Sequence, residues 1–190
     1  MKGDSLAKGQ TISMTPRVTA ALADLAKAGD RDAFARLYIA WHPKLLRFAL
    51  RRCGDTELAR DAMQDAALTM ARNIHRLKDP SSFSPWAYTI VRRRVADRLR
   101  ARPPITDELD NELAEDISNL PPEDRISLHQ VLAKLAREDR LLLKLFYIDG
   151  LTGRELSAAL GVPAGTIKSR LHRIRENFKS HYLSHGDNHD

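Results

Sequence analysis

An acidic segment divides the chain into two basic blocks. Residues 103–124 carry 8 acidic side chains and neither lysine nor arginine, and a proline pair stands near each end, Pro103-Pro104 and Pro121-Pro122. Proline disfavours helix continuation and like charges repel, so this segment predicts a connector and not part of a core. Residues 1–102 contain 20 basic and 10 acidic side chains, a net of +10, and residues 125–190 contain 11 and 7, a net of +4. We therefore expect two units joined by an acidic linker.

Two alternatives remain open for this segment. It could be a long surface loop of one domain, although structureless loops of this length are uncommon. It could also contain a short helix, since four apolar residues recur at four-residue spacing: Ile105, Leu109, Leu113 and Ile117.

Composition narrows the class of protein. Apolar residues make up 43% of the 190 residues, enough for a packed core. The single cysteine, Cys53, cannot form an internal disulfide, which favours a reducing compartment, and we expect a cytoplasmic location. No apolar run is long enough to span a membrane, and no signal-peptide pattern opens the chain. The net charge of +6 favours nucleic acid, an acidic partner or an anionic membrane surface.

The periodicity predicts an all-α fold. Hairpin turn signals are absent and apolar/polar alternation is not sustained. Helix boundaries are indicated by Gly29-Asp30, Gly54-Asp55, Gly150 and Gly161-Val162-Pro163. Helices are predicted at about 18–28, 30–53, 55–77, 84–100, 125–136, 137–148, 152–160 and 166–182.

The sharpest motif runs from Leu151 to Leu171 and predicts a helix-turn-helix. Thr152 and Glu155 have the spacing of a capping box, and Gly161 suits the left-handed residue that ends a helix. Thr166 is placed to cap the second helix.

That second helix is amphipathic and basic. Its narrow apolar stripe is Ile167, Leu171, Ile174 and Phe178. The remaining faces present polar and basic side chains that can enter a major groove and contact bases or phosphates. The alternative is an ordinary surface helix with solvated charges. The outward residues are Lys168, Ser169, Arg170, His172, Arg173, Arg175, Glu176 and Lys179.

A second basic segment follows an aromatic cluster. Residues 92–102 contain six arginines, and Phe83, Trp86 and Tyr88 lie just before them. Arginine beside aromatic rings suits single-stranded DNA, where rings stack on exposed bases. The alternative is that Phe83 and Trp86 belong to the core and that the arginines are a solvated face. Upstream, Leu58, Ala62, Ala66 and Met70 predict a buried helix face that leaves Asp61, Gln64 and Asp65 outward.

Together these segments resemble the extracytoplasmic-function (ECF) sigma factors of bacterial RNA polymerase. Asp61-x-x-Gln64-Asp65 resembles the core-binding motif of their second region, and Phe83-x-x-Trp86-x-x-x-Ile90 followed by Arg92 resembles their F-x-x-W-L-x-x-I-A-R-N segment. Residues 135–140 resemble the start of their fourth region, and residues 150–173 match its helix-turn-helix. The chain departs from the family at Arg93, where asparagine is usual, at Ala87 and at Ala136-Arg137.

The resemblance implies a transcription initiation factor without catalysis, cofactor or metal. Its implied partners are the RNA polymerase core, promoter DNA and an anti-sigma factor. It assigns core binding to Asp61, Gln64 and Asp65. It assigns binding of the −10 element to Trp86, Arg92, Arg93, Arg94 and Arg98. It assigns binding of the −35 element to Thr166, Lys168, Ser169, Arg170, His172 and Arg173.

The same resemblance implies a domain organisation. Residues 28–102 correspond to sigma region 2 and residues 125–182 to sigma region 4, with the linker at 103–124. Residues 1–27 are then an N-terminal extension, and residues 183–190 a tail.

Three other classes of protein remain as alternatives. A response regulator shares this kind of helix-turn-helix but predicts a βα receiver before it. A sigma-like decoy would bind an anti-sigma factor without DNA, for which the basic faces would be superfluous. A metal enzyme would need His181, His185 and His189 as ligands, but Gly186 interrupts their helix.

Overall fold

The first block forms four α-helices between residues 14 and 101. The computed structural model describes residues 14–101, 132 and 135–186, with side chains as far as residue 177. The acidic segment 103–124, most of the helix predicted at 125–136 and the last four residues lie outside these. The helices of the first block are α1 (Pro16–Lys27), α2 (Arg31–Cys53), α3 (Thr56–Asn73) and α4 (Phe83–Arg100).

Local sequence signals explain where these helices begin and end. The Asp30 carboxylate accepts from the Ala33 amide at 2.9 Å, and the Asp55 carboxylate from the Leu58 amide at 2.8 Å. Both are side-chain caps of a first helical turn. Gly54 ends α2 in the left-handed conformation, with φ of 70°.

In the described range 135–186 of the second block lie three α-helices, which are α5 (Arg137–Leu143), α6 (Gly153–Leu160) and α7 (Ala164–Gly186). A π-helical turn, Lys144–Ile148, follows α5. No strand occurs in the described ranges, so the predicted all-α fold is confirmed and a βα receiver is absent from residues 14–101.

Three predicted boundaries are wrong. The α-helix predicted at 55–77 ends at Asn73, and the 3-10 turn Ile74–Arg76 follows it. The α-helix predicted at 137–148 changes to π-helical geometry after Leu143. Thr166 does not cap α7, because that helix already starts at Ala164. The Pro163 carbonyl accepts the first helical bond, from the Ile167 amide at 3.1 Å, so Thr166 lies inside the first turn.

Aromatic rings fill the centre of the first block. Phe48 and Tyr88 meet edge to face at 5.3 Å between centroids, and Trp41 meets Phe83 in the same way at 6.1 Å. Phe83 is therefore a core residue, whereas Trp86 is half-buried and tilted against it.

Helix α4 packs against α3 on one side and against α6 on another. The buried residues of both blocks form one continuous cluster, which includes Val91 and Val95 of α4 and Leu156 of α6. Leu99, one turn after the buried Val95, is 40% exposed because the packing of α4 ends at Val95. The basic helix and the helix-turn-helix thus lie side by side.

Candidate nucleic-acid interface

The helix-turn-helix is built by local hydrogen bonds. Thr152 Oγ1 accepts from the Glu155 amide at 3.4 Å, and the Thr152 amide donates to the Glu155 carboxylate at 2.7 Å. This confirms the predicted capping box. Gly161 ends α6 with φ of 74°, as predicted, and Ser157 Oγ donates to the Val162 carbonyl at 2.6 Å across the turn. The turn between α6 and α7 is therefore fixed by the sequence around it.

Helix α7 buries its apolar stripe and exposes its polar faces. Ile167, Leu171 and Ile174 are buried, as predicted, whereas Phe178 lies beyond the described side chains. Thr166 and Arg170 are half-buried. The exposed residues among those predicted to contact DNA are Lys168, Ser169, His172 and Arg173.

Two arginines of this helix have partners within the protein. Arg173 Nη2 donates to the Asp139 carboxylate of α5 at 3.0 Å, and the Asp139 side chain is 12% exposed. Arg175 Nε donates to Tyr147 Oη at 2.9 Å. In contrast, the side chains of Lys168 and His172 have no hydrogen bond or ion pair to the described residues. Their polar groups remain available to a ligand.

The arginines of α4 also differ in whether they have hydrogen-bond or ion-pair partners among the described residues. Arg92 Nε donates to the Ala158 carbonyl of α6 at 3.2 Å, and Arg94 pairs with Asp97 at 3.3 Å. Arg93 is exposed and has no polar partner among residues 14–101 or 135–177. The sequence could not separate these roles, since all three residues lie in one run.

Arg98 joins two of the predicted sites. Its Nε and Nη2 donate to the Asp65 carboxylate at 2.8 and 2.6 Å, and its Nη1 donates to Asp61 at 3.4 Å. These bonds, and the charge of Asp65, raise the pKa of the Arg98 guanidinium. A residue expected at the −10 element therefore lies against the carboxylates expected to bind core polymerase.

The outward face of α3 has the predicted orientation. Leu58, Ala62, Ala66 and Met70 are buried, while Asp61 and Gln64 are exposed and Asp65 is half-buried. Leu68, which the motif did not single out, is 52% exposed. It lies one turn beyond Gln64, so the four-residue spacing could have identified it.

A cavity of about 300 Å³ lies beside Trp86. Its walls include Leu77, Trp86 and Thr89 of the first block and Ala158 of α6. At its edge, Asp79 accepts hydrogen bonds from Ser81 Oγ at 2.6 Å and Ser82 Oγ at 2.8 Å. These bonds lower the pKa of the Asp79 carboxyl, which keeps a negative charge there. Local sequence patterns could not predict this cavity, because Ala158 lies far along the chain from its other lining residues.

Asp149 anchors the second block to α2 and was missed by the sequence interpretation. Its carboxylate accepts from Arg51 Nε at 3.1 Å and pairs with Arg47 at 3.5 Å. The Arg51 and Asp149 side chains are both 7% exposed. Nearby, burial lowers the pKa of Arg52, as do the charges of Arg92 and Arg137.

Further contacts join the blocks. Arg154 Nη2 donates to Ser82 Oγ at 2.9 Å, and Arg137 Nη2 to the Arg52 carbonyl at 3.3 Å. Hydrogen bonds from charged donors thus reinforce the apolar packing of α4 on α6.

Two further findings concern other functions. No group of three or more metal-ligating side chains occurs within the described part of the chain, and the side chains of His181, His185 and His189, which the metal-enzyme alternative would need, are not among those described. None of the described helices has the length and apolar character needed to cross a bilayer.

The geometry of the second block defines the class of protein. A basic helix, α7, is held in place by a capped helix and a short turn, which is the arrangement of a DNA-binding protein of the helix-turn-helix class.

Comparison with known proteins identifies the family to which the chain is similar. The family profile described as "Sigma-70 region 2" matches residues 37–103, and "Sigma-70, region 4" matches residues 125–178. The ECF sigma factor SigW of Bacillus subtilis is 32% identical over 167 residues, covering 79% of this chain and 89% of that protein. The ECF sigma factor RpoE of Cereibacter sphaeroides is 33% identical over 160 residues, covering 80% and 87%.

Two solved structures share the fold. The structure of CnrH in complex with the cytosolic domain of CnrY has a TM-score of 0.59 at 21% identity, covering 88% of this chain and 98% of that one. The sigma factor RpoE in complex with the anti-sigma factor NepR from Bartonella quintana has a TM-score of 0.52 at 21% identity, covering 79% and 96%.

The chain belongs to the ECF sigma factor family of RNA polymerase. It is a transcription initiation factor and not an enzyme, and it directs core polymerase to promoters and assists DNA melting there.

Proposed function

We propose that three surfaces divide the work of initiation. The outward face of α3 binds core polymerase, α4 with Trp86 and Arg93 binds the −10 element, and α7 binds the −35 element. The corresponding division of the chain is residues 28–102 for sigma region 2 and residues 125–182 for region 4. Residues 103–124 then form the linker, with the extension 1–27 and the tail 183–190 outside both.

Charge and exposure support the polymerase-binding face. Asp61 and Gln64 are exposed, and the Asp65 side chain is 37% exposed. Leu68 adds an apolar side chain to the same stripe. An exposed apolar residue beside carboxylates suits a basic, amphipathic partner helix, because it offers both burial and charge pairing.

The −10 proposal rests on two of the five residues that the sequence suggested, Arg93 and Trp86. Arg93 has no polar partner among the described residues, so its guanidinium can bind a phosphate, and the Trp86 ring, which lies near Ala158 of α6, can stack on a base once the two blocks separate. Arg92 and Arg94 are held by Ala158 and Asp97 and reach DNA only if those contacts are given up.

The −35 proposal rests most strongly on α7. The single observation that carries it is that Lys168 and His172 are exposed on the second helix of a helix-turn-helix, where their side chains have no hydrogen bond or ion pair to the described residues. Ser169 and Arg173 extend the same surface, and Thr166 and Arg170 border it. Lysine neutralises phosphates, while arginine and histidine can also donate to base edges.

Simultaneous recognition of both elements requires the two blocks to separate. The −10 and −35 positions are about 25 base pairs apart, roughly 85 Å of duplex. Because α6 packs directly on α4, the two DNA-binding helices lie too close together to reach both. Core polymerase then holds regions 2 and 4 apart on the promoter.

Control by an anti-sigma factor and a cytoplasmic location belong to the same proposal. The similar RpoE of Bartonella quintana was solved with the anti-sigma factor NepR, which supports a partner of that kind here. A sigma factor binds RNA polymerase, so we expect it in the same compartment as the polymerase.

In vitro transcription with core polymerase over a promoter library tests the proposal. The wild-type chain is expected to initiate from promoters with a shared −10/−35 pair. The triple variant Asp61→Ala, Gln64→Ala, Asp65→Ala is expected to lose core binding, whereas Asp24→Ala on α1, also an exposed acid, is expected to retain it. Absence of initiation by the wild type, or full core binding by the triple variant, would contradict the proposal.

A further inference from the structure

We propose that Arg98 is a positioning residue for the polymerase-binding carboxylates and not a DNA contact. This inference rests on the proposed role of the α3 face. It assigns to Arg98 the task of orienting Asp65 and Asp61 before the polymerase arrives.

The atoms used by Arg98 define this role. Both of its bonds to Asp65 end on Oδ2, and its bond to Asp61 also ends on Oδ2. The Oδ1 atoms of both carboxylates have no hydrogen bond to the described residues. A carboxylate accepts through both oxygens, so a basic group of the partner can bind at Oδ1 while Arg98 keeps its contacts.

The residues remain accessible in this arrangement. The side chains of Arg98, Asp65 and Asp61 are 41%, 37% and 57% exposed. Two carboxylates and one guanidinium leave a net charge of −1, which still attracts a cationic partner.

Arg98 also relieves a conflict within α3. Asp61 and Asp65 are four residues apart on one helix, where like charges repel. A guanidinium bonded to both removes this repulsion and restricts both side chains to one arrangement. Binding then loses less side-chain entropy than it would with two freely rotating carboxylates.

The same contacts weigh against a role at the −10 element. For Arg98 to reach a phosphate it must release two short charge-assisted bonds to Asp65. Arg93, on the same helix, has no such bonds to break.

The kinetics of core-polymerase binding by the full chain test this assignment. We expect Arg98→Ala to raise the dissociation rate about five- to tenfold, the range typical of coupled neighbours. The association rate is not expected to fall, since the face becomes more negative. Arg98→Lys is expected to restore part of the loss. The matched control is Arg100→Ala, an exposed arginine of the same helix paired only with Asp97 within the described chain.

A double-mutant comparison separates the possible failures. In an Asp61→Asn, Asp65→Asn background, Arg98→Ala is expected to have no further effect on dissociation. An undiminished effect there would mean a purely structural role and would overturn the proposal. An unchanged dissociation rate in Arg98→Ala alone, with slower promoter melting, would overturn it in favour of DNA contact. Wild-type core binding by the double Asn variant would instead refute the proposed function of the α3 face, and the assignment with it.

Discussion

Arg92 and Ala158 join the basic helix to the helix-turn-helix. The Arg92 Nε donates to the Ala158 carbonyl at 3.2 Å, near the C-terminal end of α6. Free carbonyls at a helix C-terminus carry partial negative charge, which favours a guanidinium there. The same guanidinium lies over Gly161, where a Cβ would stand 2.8 Å from Arg92 Nη1. An arginine expected to bind DNA thus stabilises the docking of one block on the other.

Gly161→Ala tests this contact, with Gly150→Ala as its control. Both glycines have positive φ, 74° and 65°, so alanine is expected to cost about 1–2 kcal/mol at either position. A Cβ at 150 meets nothing within 4 Å. Gly161→Ala is expected to cost about 0.5–1.5 kcal/mol more, because it displaces Arg92 from its acceptor. Urea unfolding measures both. If the excess persists in an Arg92→Ala background, the contact is not its source.

Asp149→Ala is expected to be strongly destabilising. It removes one partner of a pair in which both side chains are 7% exposed, a loss of about 3–5 kcal/mol in buried pairs. Asp97→Ala, which breaks the exposed pairs with Arg94 and Arg100, is expected to cost at most about 1 kcal/mol. Chemical denaturation compares the two variants. Equal losses would show that the Arg51–Asp149 pair does not stabilise the docked arrangement.

Because Tyr88 is buried, we expect the free energy of unfolding to fall at alkaline pH. Burial, and then the charges of Glu155 and Asp149, raise the pKa of its phenol above the ordinary value. The folded state therefore favours the protonated form, and this stabilisation is complete below the unfolded-state pKa of about 10. Above that, the free energy of unfolding is expected to fall by up to about 1.4 kcal/mol per pH unit until the folded-state pKa is passed. Tyr88→Phe is expected to lack this component between about pH 9 and pH 11. Identical slopes for both proteins would contradict the assignment.

Lys168→Ala and Arg173→Ala are expected to differ although both lie on the exposed side of α7. Lys168 has no partner in the described chain, so its loss should reduce the salt slope of −35 binding by about one and leave folding within about 0.5 kcal/mol. Arg173→Ala also removes the partner of Asp139, and is expected to lower the free energy of unfolding by about 1–2 kcal/mol. Filter binding over a salt series and thermal unfolding measure the two effects. An unchanged salt slope for Lys168→Ala would remove Lys168 from the −35 surface.

The features that could be predicted from the sequence are local ones. The capping box of Thr152 and Glu155, the left-handed Gly161 and the buried stripe of α7 each depend on residues a few positions apart. Such patterns are set by helical geometry alone, which is why the acidic face of α3 and the helix-turn-helix were both recognisable. The wrong prediction at Thr166 is also local: the helix starts two residues earlier, at Ala164, and the Pro163 carbonyl accepts its first bond.

The acidic segment with its proline pairs predicted two basic blocks. It did not predict how these blocks pack against each other. Only the tertiary structure decided that Arg98 belongs with Asp65, 33 positions away, and Arg51 with Asp149, 98 positions away. Neighbouring arginines in one run have the same local sequence context. The packing of the helices nevertheless leaves one arginine exposed and places another beside a hydrogen-bond acceptor. The physical reason is that charge pairing depends on distance in space, which helix crossings set and residue order does not.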